Sequence, residues 1–156
     1  MTAILGSCVA TVLWDPVAQV GGMNHLLVPP RLRSASGFEG ADINLMELLI
    51  NAILTRGGAR DRLQAKVFGG ASMIAGLGST GARNGVFALE FLAEEGIPVT
   101  ARSLGGSAAR RLQVWPAAGR VLQKRMEVLS SQDMALGTQD ASEHVRALAL
   151  SGVELL

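Results

Sequence analysis

Hydrophobic and polar positions along the first third of the chain follow two rhythms. From Val9 to Trp14, the residues Val9, Thr11 and Leu13 interleave with Ala10, Val12 and Trp14 in a β-branched run with a period of two, which predicts a strand. Asp15-Pro16 ends it, because proline fixes φ, lacks an N–H and pushes the preceding residue out of the α region. A second apolar run, Met23 to Val28, stops at Pro29-Pro30, and the two runs together predict a hairpin. The rhythm then changes. Arg31 to Gly40 reads as a polar surface loop. Asp42 is placed to cap a helix reaching about Arg56, with Leu45, Leu48, Leu49, Ala52 and Ile53 on its apolar face and Gly57-Gly58 as its stop.

The remainder alternates between the two periods. Gln64 to Phe68 is strand-like, Asn84 to about Glu95 helix-like, and Ile97 to Leu104, Arg111 to Trp115 and Arg120 to Arg125 read as three further strands. Gly105-Gly106-Ser107 and Pro116-Ala117-Ala118-Gly119 supply the turns between these strands. Beyond Met126, Ser130 to Asp133 is loop-like, and Asp140 to Leu150 predicts a short amphipathic helix in which His144 is a surface residue. The pattern implies a single α/β domain with about seven strands and two main helices; periodicity does not set the strand order.

Composition narrows the possible functions. A chain of 156 residues, 49% hydrophobic, suits one domain with a sizeable core. A net charge of +1 without a dense basic cluster gives no reason to expect nucleic acid, and the Arg110-Arg111 pair reads as a solvated strand edge. No apolar run approaches the ~20 residues that span a bilayer, and no basic segment precedes the apolar start, so a cytoplasmic location without membrane insertion is expected. One cysteine and two histidines without clustered ligand spacing predict no disulfide and no metal site. Gly76-Leu77-Gly78-Ser79-Thr80-Gly81 fits the dinucleotide pattern G-x-G-x-x-G, yet seven residues separate it from the preceding strand, so a plain loop and no cofactor are expected.

Candidate chemistry centres on Cys8 and His25. Pairing the hairpin with Leu13 opposite Val20 sets Cys8 directly opposite His25, where Cβ atoms are ~4.5–5.5 Å apart. A neighbouring imidazole can take a thiol proton and later protonate a departing amine, which predicts a thiolate more reactive than a free thiol. Gly6-Ser7 suits a tight turn whose N–H groups face a developing oxyanion. The residues alone leave a second reading open, since a lone cysteine in an apolar run is commonly a small buried hydrophobe.

Five strings, taken in order, add to this. Leu5-Gly6-Ser7-Cys8-Val9, Gly21-Gly22-Met23-Asn24-His25, Lys66-Val67-Phe68-Gly69-Gly70-Ala71, Gly81-Ala82-Arg83-Asn84, and Gly105-Gly106 before an Arg-containing strand together resemble the CheD family, the chemoreceptor glutamine deamidases of bacterial chemotaxis. The likeness runs from about Thr2 to Met126, which makes residues 1–126 the deamidase-like domain and 127–156 a tail outside it. It implies a β-sandwich-like core with helices on its outer faces, and a catalytic set of Cys8 as nucleophile, His25 as base and Thr2 as the third member. It also implies chemoreceptors as substrates, a place beside chemoreceptor arrays, no cofactor and no metal, and a CheC-type phosphatase as a possible partner. A non-catalytic module regulating that phosphatase is the alternative function.

Two positions depart from the family pattern. Ser103 stands where an acidic residue is usual before the double glycine, and Ala109 where a glycine is usual before the arginine. The family also carries a strand upstream of the threonine. With only Met1 ahead of it here, the start reads as truncated, and Thr2 is expected to fray.

Overall fold

The computed structural model describes residues 1–26, 40–72, 80–126 and 153–155. The polar loop at 31–39, residues 76–79 of the glycine string, and the tail helix at 140–150 with His144 lie outside the described residues.

Among the described residues, eight strands form two sheets. The smaller is β1 (Thr2–Leu5), β6 (Ala109–Trp115) and β7 (Arg120–Met126), in the order β1-β6-β7. The larger runs β5-β4-β2-β3-β8, from β2 (Val9–Asp15), β3 (Val20–Leu26), β4 (Gln64–Gly69), β5 (Val99–Leu104) and β8 (Val153–Leu155). Helix α1 (Gly40–Thr55) follows the β2–β3 hairpin, and α2 (Thr80–Glu94) makes the crossover between β4 and β5, the parallel pair. β8 brings the far end of the chain back to pair with Gly22, Met23 and Asn24.

The alternation along β2 sorts the core into two halves. Val9 and Leu13 point to one face, where they meet Leu26, Ala65 and Val67, together with Met46, Leu49, Ile50 and Ile53 of α1 and Phe87, Ala88, Phe91 and Leu92 of α2. Ala10 and Val12 point to the other, against Met23, Phe68, Leu5, Leu112 and Val114. The molecule is therefore layered as small sheet, large sheet and helices, with both helices on one outer face. Full burial of each large aliphatic side chain here is worth about 1.5–3 kcal/mol.

The structure moves several predicted boundaries for identifiable reasons. α1 begins at Gly40, so Asp42 sits inside its first turn rather than capping it. α2 begins at Thr80, well before Asn84. Glycine's poor helix propensity hides that start in the sequence, but Gly81 lies where a Cβ would be 2.7 Å from the Gly70 carbonyl, so close packing replaces propensity.

The hairpin register also differs from the expected one. Asp15, not Leu13, pairs with Val20, so Ala10 rather than Cys8 stands opposite His25. The cause is Asp15 itself. Its fully buried carboxylate accepts from the N–H groups of Val17 (2.8 Å) and Ala18 (3.0 Å), which extends the pairing by two residues on the β2 side of the turn. It also accepts from the Ala59 N–H and from Arg62 Nε and Nη2, fastening the turn to the connection that leads into β4. A two-residue shift keeps every side chain on its predicted face, whereas a one-residue slip would reverse them all.

The Arg62 guanidinium and three backbone donors hold the Asp15 carboxyl well below the usual carboxylate range. A depressed folded-state pKa stabilises the fold above the unfolded value of ~3.9, and the contribution is lost as pH falls from there towards the folded value. Asp15→Asn is therefore expected to melt at a lower temperature than the parent at pH 7. The gap should narrow as pH drops below ~4. Thermal melts from pH 7 to pH 2.5 check this, and a gap that stays constant would remove the carboxylate from this role.

Candidate active site

β1 delivers the chain into a short loop, Gly6-Ser7-Cys8, that carries it from the small sheet to β2 of the large one. Every backbone carbonyl of this loop has a partner from elsewhere in the chain. The Gly6 carbonyl accepts from the Ala71 N–H (2.8 Å) and the Cys8 carbonyl from the Gly70 N–H (2.8 Å). The Ser7 carbonyl accepts from Nδ2 of Asn84 (3.3 Å), a side chain 1% exposed in the second turn of α2. Gly69 has φ of +114°, and a Cβ there would run into the Cys8 carbonyl, so only glycine lets β4 end against this loop.

A third layer holds these glycines. The Gly69 carbonyl accepts from the Gly105 N–H (3.0 Å) and from Nη1 of Arg110 (3.2 Å), and the Gly106 carbonyl accepts from the Ser72 N–H (2.8 Å). The five strings singled out in the sequence thus lie around one loop or along the strands that flank it. Arg110 is corrected here: it is 3% exposed and turned into the protein, and only Arg111 is the solvated residue of that pair. Burial lowers the Arg110 pKa, with a smaller contribution in the same direction from Arg125 across the strand pair.

Cys8 is half-buried and packs against the inter-sheet half of the core. In β3 the side chains separate by parity. Met23 and His25 share the inter-sheet face with Ala10, while Asn24 turns towards α1, its Oδ1 accepting from the Thr11 N–H (3.2 Å) and its Nδ2 lying 3.0 Å from the Met46 sulfur. Cys8 and His25 are therefore on the same face, on a diagonal of the β2–β3 pair. Diagonal neighbours lie ~7–8 Å apart, still within reach of long or aromatic side chains.

Burial pushes the Cys8 thiol up, against a smaller lowering effect of its own backbone hydrogen bonding. Burial thus works against a resting thiolate at this position.

Thr2 is not brought into this group. Met1, Ala3 and Leu5 face the inter-sheet core, whereas Thr2 is exposed and lies opposite Gln113 on the outer face of the small sheet. Its strand is paired from the start. The Met1 ammonium donates to the Val114 carbonyl (2.9 Å) and the Val114 N–H donates to the Met1 carbonyl (2.9 Å), which ties the strand down at its first residue.

Asn84 and Arg110 belong to strings that the sequence marked but to which it gave no role. Both are polar side chains in otherwise apolar or glycine-rich surroundings, which is the available signal. Their target, a loop formed by Gly6 to Cys8, is visible only once β4, α2 and β6 are in place. Among the described residues there is no group of three or more His, Cys, Asp or Glu side chains able to hold a metal ion.

The sequence that folds in this way has known relatives. A family model described as CheD chemotactic sensory transduction matches residues 42–125, which span α1, the brace around Gly69 to Ala71, α2 and most of the small sheet. A protein of Agrobacterium fabrum is 48% identical over 137 residues, 85% of this chain and 74% of its own length. One from Rhizobium rhizogenes is 51% identical over 126 residues (79% and 68%), and one from Caulobacter sp. strain K31 is 48% identical over 130 (82% and 69%). Each of the three carries the name probable chemoreceptor glutamine deamidase CheD. The chain belongs to the CheD family.

Two measurements test the geometry of the loop. Gly69→Ala must place a side chain at positive φ, at a cost of about 1–3 kcal/mol, and must also displace the Cys8 carbonyl. It is expected to lower stability by at least that amount in denaturant titration, and an unchanged midpoint would contradict the brace. The rate of Cys8 alkylation should rise with pH to a midpoint above the ~8.5 of an ordinary thiol. A midpoint below it would show that an activated thiolate is present at rest.

Proposed function

We propose that this chain hydrolyses the side-chain amide of specific glutamines in chemoreceptors to glutamate, with release of ammonia. The observation that carries the proposal is the convergence of the family's motif strings on the Cys8 loop, with His25 on the same inter-sheet face. The names of the relatives supply the substrate class.

In this reading Cys8 is the nucleophile and His25 the base. On approach of the carboxamide, the Cys8 thiol gives its proton to the imidazole and Sγ bonds to the carboxamide carbon. Backbone N–H groups of the Gly6 to Cys8 loop stabilise the oxyanion. The imidazolium returns the proton to nitrogen as the C–N bond breaks and ammonia leaves. Water then adds to the thioester carbon as His25 takes its proton, and the C–S bond breaks as the imidazolium passes that proton to Sγ. The products are glutamate and a thiol restored to its protonated form. The raised thiol pKa fits this sequence, since proton transfer then belongs to the encounter with substrate rather than to the resting enzyme.

Thr2 enters as third member through its place in the motif. With its side chain on the outer face, it acts on the imidazole only if β1 turns when substrate binds. A second reading, a module binding a CheC-type phosphatase without catalysis, is favoured by the outward Thr2. The site of action in either reading is the cytoplasmic face of chemoreceptor arrays. No described helix is long and apolar enough to cross a membrane.

Incubation with a receptor cytoplasmic fragment should add about one dalton per modified glutamine, read by intact mass and peptide analysis, with ammonia released in equal amount. Cys8→Ala is expected to abolish both, and His25→Ala to reduce turnover by at least the ~10²-fold of a lost general base. Phosphatase binding that survives Cys8→Ala, with no deamidation by the parent protein, would establish the second reading instead. Thr2→Ala with unchanged turnover would remove Thr2 from the site.

A further inference from the structure

Arg110 is a charged side chain, 3% exposed, that forms no salt bridge with a carboxylate among the described residues. Removing a guanidinium from water is costly unless its donors are used. Its use is specific. Nη1 donates to the Gly69 carbonyl and Nη2 to the Gly105 carbonyl, while Nε has no hydrogen-bond partner among the described residues.

These two carbonyls occupy a particular place. Gly69 is the last residue of β4, in the large sheet, and the next N–H along the chain, that of Gly70, holds the Cys8 carbonyl. Gly105 begins the turn between β5 and β6 and donates its own N–H to the Gly69 carbonyl. The backbone of Arg110, meanwhile, lies in β6 of the small sheet, opposite Leu5, the residue that leads into Gly6. One residue therefore lies beside the chain where it enters the Cys8 loop and pins the brace where the loop ends. It does so across the gap between the two sheets, which no β-ladder bridges.

We infer that Arg110 is the positioning residue that fixes the attack geometry of Cys8, acting through Gly69 and Gly70 rather than on the substrate. A planar fork with several N–H donors can hold two carbonyls at a set spacing, whereas an ammonium, a point charge on a flexible stem, cannot hold both in one geometry. Lysine is therefore no substitute here. The cationic edge of the small sheet is separable from this function, because Arg125, its cross-strand neighbour, is exposed.

The inference rests on Cys8 being the nucleophile, and the test keeps the two apart. Full-length Arg110→Lys, Arg110→Ala and, as control, Arg125→Gln are compared with the parent in deamidation of a receptor fragment, in Cys8 alkylation by iodoacetamide without receptor, and in melting. Misplacement of a reacting atom by ~1 Å costs on the order of a hundredfold in rate. Arg110→Lys and Arg110→Ala are expected to lose about that factor in kcat with KM within about twofold, and to alkylate severalfold faster as the brace loosens. Methylguanidine should restore at least a tenth of the lost kcat to Arg110→Ala and nothing to Arg110→Lys, a recovery that a merely destabilised protein would not show. Arg125→Gln should match the parent throughout.

Folded Arg110 variants with unchanged kcat and unchanged alkylation would overturn the inference, as would a loss confined to KM or one that methylguanidine does not relieve in Arg110→Ala. Should Arg110→Ala not fold, the decision passes to Arg110→Lys, by its kcat and alkylation rate. A parent protein that releases no ammonia sinks the assignment of Cys8 instead, and the alkylation comparison still decides the role of Arg110.

Discussion

The site depends on a backbone contact of unusual intimacy, the seating of Gly69 and Gly70 against the carbonyl of Cys8. Two sheets that share no ladder among the described strands are joined where the chain crosses between them, and the Gly6 to Cys8 loop is one such crossing, the turn at Gly105 another. A loop whose carbonyls were left to water would wander. Here three successive carbonyls are each satisfied from another element, and each donor is held in turn by close packing or by the turn at Gly105. The thiol is thus carried by rigid backbone although it lies in a loop.

The same strands divide the interior. Because side chains of β2, β3 and β4 alternate, one half of the core is spent on fastening α1 and α2, and the other on fastening the small sheet. Cys8 and His25 belong to the second half by parity, and Asn24 to the first. A motif that reads as one unit in sequence, Gly-Gly-Met-Asn-His, thereby serves two layers at once.

Most of the fold was legible because strands and helices here follow their periods. The runs at Val9, Gln64, Ile97, Arg111 and Arg120 all became strands, and both helices formed. What failed to show was set by tertiary contacts. The start of α2 lay hidden behind a glycine needed for packing on Gly70, and the hairpin register was decided by a carboxylate reaching Ala59 and Arg62 far along the chain. Cys8 and His25 stood out through their motifs, and the fold sets them on one face of the large sheet. Arg110 was misread as solvated because a basic pair on a strand has one inward and one outward member, and alternation does not say which until the neighbours Leu112 and Val114 are known to be buried. Thr2 shows the same limit, since its phase along β1 is fixed by Ala3 and Leu5.

The wide spacing of the brace along the chain has a bearing on how the protein is made. Cys8 leaves the ribosome well before the residues that hold its loop, around Gly70, Asn84 and Arg110. At ~5–20 residues per second, the roughly one hundred residues from Cys8 to Arg110 take about 5–20 s to appear. During that interval the cysteine is an ordinary thiol on an unfinished polypeptide, unable to attack an amide held in any fixed orientation. The loop is in this sense unbraced until β6 has been made, and its geometry is a property of the folded sandwich rather than of the segment that carries the cysteine.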